Sequence, residues 1–213
     1  MTDLLDPLRL ASILVMWLSL SVHEWAHARS AYALGDDTAK AMGRMTLDPM
    51  AHVDFVGTLL LPLIGVPFGW AKPVPVNPTR FRRDVNMSFG MMLTAAAGPA
   101  SNLVLSVGCL GFFAALWRVA PIVADGPAGQ LVAVASVMNL LLAVFNMVPV
   151  PPLDGSRVAA HYMPRSLLPF WHGIERAGIF LPFLVIWGLR AVGIDIFAPF
   201  VTLAYQALRA VIP

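Results

Sequence analysis

The stretch LASILVMWLSLSVHEWAHAR, residues 10–29, begins as an apolar run and ends on His23, Glu24 and His27. A helix of roughly 20 apolar residues crosses the ~30 Å hydrocarbon layer of a bilayer, so the run reads as a transmembrane span. Residues four apart lie on one helix face. His23 and His27 can therefore reach one metal ion, while Glu24, beside the first histidine, can address a water near it. The chain has only five histidines, and composition alone would produce H-E-x-x-H in roughly one such chain in a thousand. An ionisable residue at the centre of a span costs on the order of 2.5–3.5 kcal/mol, less near the interface, so three together require compensation such as a metal. The competing reading is a polar helix end whose histidines are hydrogen-bonded near the headgroups.

Outward from this stretch, the 213 residues are 58% hydrophobic and 12% charged, about half the charged fraction of soluble domains. So little polar surface cannot coat a soluble globule, and no composition shift or repeat divides the chain, so residues 1–213 read as a single membrane-embedded domain. A formal net charge of +2 with dispersed arginines excludes nucleic acid as a partner. Cys109, alone in its type, is read as a small core hydrophobe. The N-terminus MTDLLDPLRL is acidic where a signal peptide is basic, so the first apolar run is expected to stay in the protein.

Three stretches qualify as spans: residues 8–28, 88–117 and 131–148. The fold class is all-α and polytopic, a bundle of about 4–6 transmembrane or re-entrant helices with a small β-like cytoplasmic loop region. Residues 55–68 are apolar but short and broken by Gly57, Pro62, Gly65 and Pro67, which suits a re-entrant segment. Residues 43–47 and 70–77 look extended, and Pro73, Pro75 and Pro78 favour an edge strand or loop. The C-terminal third is expected to hold one or two short spans and an interfacial helix over 166–177. Arg29, Lys40, Arg44, Lys72, Arg80, Arg82 and Arg83 lie between the first two spans and make up half of the 14 basic residues. That segment is placed on the cytoplasmic side, the N-terminus outside, and the inner ends of spans one and three at one face.

A catalytic zinc takes three protein ligands and leaves a position open. Asp154, in NMVPVPPLDG after the third span, is expected at the same face as His27. Pro149, Pro151 and Pro152 unwind the helix there, and unwound backbone at membrane depth has to line protein or a wet cavity. The bland meaning of Asp-Gly is a turn, and Glu175 is the runner-up third ligand. His52, His161 and His172 receive no role.

With these residues in hand, the sequence resembles the site-2 proteases, the intramembrane zinc metalloprotease family. The resemblance is carried by LGDDTAK, HVDFVGTLLLP, GWAKPVPVNP, GPASN and NMVPVPPLDG. It implies Zn2+ held by His23, His27 and Asp154, water activated by Glu24, and Asn102 or Asn146 facing the site to hold the scissile peptide or its oxyanion. It also implies peptide-bond hydrolysis in a transmembrane protein substrate within or near its membrane segment. The form is a minimal core without PDZ or CBS segments. The expected location is a multi-pass integral protein of a bacterial-type inner membrane, bathed by the lipid bilayer, with its active site towards the cytoplasm. Oligomeric state is not legible. The alternative is a small transporter or channel with a polar ion site, which has no need of a glutamate beside a histidine pair at helical spacing. A di-iron oxygenase would need more histidines.

Overall fold

The computed structural model describes residues 7–60, 63, 70–164, 166–175, 178 and 180–212. Among them the protein is helical, with no strand. Helix α1 spans Pro7–Ala33 and opens on a proline, whose fixed φ and missing N–H suit a first turn. It carries H-E-x-x-H within its regular part and continues to Ala33, past the expected end at residue 28. Helix α2 is the short Thr38–Ala41. Helix α3, Met87–Val119, is started by Asn86, whose side chain accepts from the N–H groups of Ser88 and Phe89. The brief α4, Pro121–Asp125, then turns the chain into α5, Pro127–Asn146. After a proline-rich break come α6 (Asp154–Tyr162), α7 (Leu168–Glu175), α8 (Phe180–Ala191) and α9 (Ala198–Val211).

By length and composition α3 and α5 can cross a membrane, and only 17% and 22% of their most apolar windows are buried inside the protein. Apolar side chains facing outward on this scale need lipid or another protein around them. Helix α1 is long enough to span but less apolar than those two, because its later part carries Ser19, Ser21, His23, Glu24 and His27. Helix α8 is apolar but has 12 residues, about 18 Å at 1.5 Å per residue, which is short of the hydrocarbon thickness. It ends in a turn with Gly193 at φ +85°, where the N–H of Ile194 reaches Leu189 O at 2.9 Å. A left-handed residue in that place suits glycine.

Helix α3 packs against α5, α1 and α6, and α1 also touches α5. Ser106 Oγ donates to Ser136 O at 2.8 Å and Ser136 Oγ to Ser106 O at 2.9 Å, a reciprocal pair between α3 and α5. Such interhelical bonds average about 0.6 kcal/mol in membranes, so they guide packing more than they drive it.

The connection between α1 and α3 is pinned by its own polar groups. Asp36, 0% exposed, accepts from Thr38 N and Thr38 Oγ1 with one oxygen and from Asn77 N at 2.6 Å with the other. Trp17 Nε1 donates to Thr58 O at 2.6 Å, and Thr58 Oγ1 to Trp70 O at 2.8 Å. Of the stretch expected to be re-entrant, Phe55–Leu60 forms wide helical turns, while residues 61–62 and 64–69 lie outside the described residues. The expected β-like segments, 43–47 and 70–77, form no strand among the described residues. In 70–77, Pro73 and Pro75 have no N–H to give to a ladder, and the segment is tied instead by Lys72 N donating to His52 O at 2.9 Å.

Asp36→Ala should lower the thermal unfolding midpoint of the detergent-solubilised protein, since it strands the part-buried N–H groups of Thr38 and Asn77, at a cost of up to about 1–3 kcal/mol each. A differential scanning measurement with an unchanged midpoint would show that Asp36 does not pin the loop.

Candidate metal centre

Helices α1 and α3 each turn one stripe of residues, four apart, towards their contact with α5. On α1 this stripe is Val15, Ser19, His23 and His27; on α3 it is Thr94, Gly98, Asn102 and Ser106. Each helix brings a residue of the stripe back to the same face every turn. His23 and His27 are 4% and 8% exposed, and their rings meet edge to face at 4.6 Å between centroids.

The outer nitrogens of both rings are spoken for. His27 Nδ1 donates to the backbone carbonyl of Thr94 at 2.7 Å. His23 Nδ1 donates to Asn102 Oδ1 at 2.6 Å. In a neutral imidazole one nitrogen then carries the proton and the other a lone pair, so the lone pairs lie on the two Nε2 atoms. These are 3.0 Å apart. Asp154 Oδ2 lies 3.1 Å from His23 Nε2 and 3.3 Å from His27 Nε2. Three electron-donating atoms crowded in this way repel one another unless a proton or cation lies among them. The edges are short enough for one ion at zinc's usual bond length of about 2.0–2.1 Å to touch all three, and two imidazoles with a carboxylate form a common zinc donor set. These three residues form the group of His, Cys, Asp or Glu side chains among the described residues that can hold a metal ion.

Two glycines make the centre possible. A Cβ built on Gly98 would lie 2.4 Å from His27 Nε2 and 2.6 Å from His23 Cε1, so only a glycine lets α3 pass beside the rings. A Cβ on Gly155 would lie 2.2 Å from Met147 O, which shows what the Asp-Gly pair is for. It lets the start of α6 press against the end of α5, setting Asp154 in the first turn of α6, where the helix dipole favours a carboxylate.

Glu24 is 8% exposed, and its Oε2 accepts from the backbone N–H of Val74 at 2.7 Å. Val74 is held in turn by Arg44, a buried cation whose Nη2 donates to Lys72 O at 2.7 Å and Pro73 O at 3.4 Å. Segment 70–77 thus lies against the carboxylate, a placement no spacing in the sequence announces.

Of the remaining sequence candidates, Asn102 is fully buried, with Oδ1 on His23 and Nδ2 donating to Asn139 Oδ1 at 2.8 Å and Ser19 O at 3.4 Å. Its amide is occupied by the protein itself. Asn146 donates to Leu142 O at 3.0 Å on its own helix. His52, 1% exposed, donates from Nε2 to Thr46 O at 2.9 Å, and His161 Nδ1 pairs with Ser88 Oγ at 2.9 Å. The side chains of His172 and Glu175 lie outside the described residues. Sequence reasoning did not single out Asn139, Thr94 or Ser19, and it named Arg44 only among the basic residues between the first two spans. For Asn139 the usable signal was an amide inside an apolar run, which has to find partners in hydrocarbon.

Gly98→Ala should weaken zinc retention by at least tenfold, on the scale of lost second-shell support. Gly108→Ala, on the same helix with nothing within 4 Å of its added methyl, should leave zinc unchanged and stability equal or slightly higher. Metal analysis after dialysis against a chelator reads both, and equal retention in the two variants would refute the close-approach account.

Comparison with known proteins finds a Bacillus subtilis (strain 168) protein named "Putative zinc metalloprotease YwhC", 39% identical over 188 residues, covering 85% of this chain and 82% of that one. Proteins named "Putative zinc metalloprotease Rip2" from Mycolicibacterium smegmatis and Mycobacterium tuberculosis are 29% and 31% identical over 176 residues, 78% of this chain and 66% of each of theirs. No protein-family model matches the chain, and no solved structure matches it.

Proposed function

This chain belongs to the site-2 protease family of zinc metalloproteases and is a zinc-dependent protease, and we propose that its substrates are transmembrane proteins cut within or beside their membrane segments. The observation that carries the reading is the triangle of His23 Nε2, His27 Nε2 and Asp154 Oδ2, with edges of 3.0, 3.1 and 3.3 Å, inside a bundle whose long helices turn apolar side chains outward. His23, His27 and Asp154 are the metal ligands. Bound there, zinc supplies Lewis-acid chemistry, acidifying water and polarising a carbonyl.

Glu24 is the general base. Its place next to His23 on α1 sets it beside the ligands, and Val74 N–H fixes one carboxylate oxygen while the carboxylate makes no other hydrogen bond among the described residues. That leaves Oε1 to take a proton from the attacking water and return it to the leaving amine, a role worth about 10² to 10⁴ in rate. Asn146, at the end of α5, is kept as the candidate for holding the scissile peptide. Asn102 holds His23. Segment 70–77, part of the small cytoplasmic loop region, holds the Glu24 carboxylate through the N–H of Val74.

Residues 1–213 act as one multi-pass domain in a bacterial-type inner membrane. Helices α1, α3 and α5 cross in alternate directions, with the seven basic residues between α1 and α3 and the active site facing the cytoplasm.

Glu24→Gln should fold, insert and keep about one zinc per chain while cleavage of a reconstituted membrane substrate falls by 10² or more. Asp154→Ala should lose zinc as well as activity. Near-parental cleavage by Glu24→Gln at full zinc content would remove Glu24 from the mechanism.

A further inference from the structure

Asn139, on α5 and 2% exposed, has a fully committed amide. Its Nδ2 donates to Ser19 Oγ and to Ala135 O, both at 2.9 Å, and its Oδ1 accepts from Asn102 Nδ2 at 2.8 Å. The ends of this chain stop at backbone carbonyls, which accept and never donate. Ala135 O takes one Asn139 proton, and Val15 O takes the Ser19 hydroxyl proton at 2.8 Å. Rotating the Asn139 amide by half a turn would set its oxygen against the Ala135 carbonyl oxygen, acceptor on acceptor. Its orientation is therefore fixed, and Asn102 has to turn Nδ2 towards it and Oδ1 towards His23.

Resting on the metal role of His23, we propose that Asn139 is a positioning residue of the metal centre, which acts through Asn102 to hold His23 in the tautomer whose Nε2 carries the lone pair. An amide alone cannot enforce this. Its two ends are nearly the same shape, one a donor and one an acceptor. A flipped Asn102 would donate to His23 Nδ1, move the ring proton to Nε2 and remove the ligand atom. His27 needs no such device, because its Nδ1 meets the carbonyl of Thr94 directly. Asn139, at 2.8 Å and joined by the longer 3.4 Å contact of Asn102 Nδ2 to the Ser19 carbonyl, supplies to an amide the polarity that a carbonyl has by nature.

The test uses the full chain in detergent micelles, with zinc affinity read by competition against a chromophoric chelator and thermal unfolding of the metal-free protein read in parallel. Asn139→Ala should weaken zinc about 10- to 100-fold, the usual loss on removing an outer-shell partner. Asn139→Asp offers an oxygen to Asn102 in either protonation state and should stay close to parental affinity. It also serves if the alanine variant does not fold. Asn102→Asp accepts whichever way it turns, so Asn102→Asp with Asn139→Ala should bind zinc as tightly as Asn102→Asp alone. Ser136→Ala breaks a bond between the same two helices one turn away, and should lower stability without moving zinc affinity. Parental affinity in Asn139→Ala, equal losses in Asn139→Ala and Asn139→Asp, or an equal loss in Ser136→Ala would each overturn the proposal. His23→Ala separates the two levels: if it keeps parental affinity the metal centre itself is misassigned, whereas if it loses zinc and Asn139→Ala does not, only the role of Asn139 falls.

Discussion

Two ring nitrogens and a carboxylate oxygen held within 3.3 Å of one another form an arrangement that will not stay together unaided. Lone pairs that face each other at this range repel, and in an apolar bundle there is little water to screen them. Much of what is unusual in the sequence can be traced to holding those atoms in place. The glycine at position 98 exists so that a helix can pass beside the rings, and the glycine at 155 so that Asp154 can come back under the end of α5. The prolines between α5 and α6 end one helix early enough for the next to begin with a carboxylate.

The same constraint explains why the interior of so apolar a chain is polar at its centre. Ser19, Asn102, Ser106, Ser136 and Asn139 are all buried, and each is bonded to a neighbouring helix or to its own. One interhelical bond of this type contributes little. A linked set contributes direction, because each donor has a single acceptor to meet and the set ends on backbone carbonyls. Packing alone would place the imidazoles without deciding which nitrogen faces inward.

How far the sequence could be read follows from the range of each signal. H-E-x-x-H is local, so α1 and the joint facing of His23 and His27 could be stated from spacing. The long apolar runs gave α3 and α5 within a few residues, at Met87–Val119 and Pro127–Asn146. Asp154 needed one further step, a topology that brought two helix ends to one face. Beyond this the signals fail, because they lie in pairings between distant positions. Asn139 meets Ser19 across 120 residues and Asn102 across 37, and nothing in either neighbourhood announces the partner. Asn102 shows the same limit. The family resemblance directed its amide towards substrate, whereas its hydrogen bonds are spent on His23, Asn139 and the Ser19 carbonyl. Residues 70–77 form no strand, and their contact with Glu24 had no signal in the sequence.

That contact changes how the loop between α1 and α3 should be regarded. A peptide group is planar, so fixing its carbonyl also fixes the line of its N–H. The peptide joining Pro73 to Val74 has the Arg44 guanidinium on its oxygen and the Glu24 carboxylate on its hydrogen. A cation twenty positions away in sequence is thereby wired to the Glu24 carboxylate through one rigid plate, and the loop becomes a lever on the group proposed as the base.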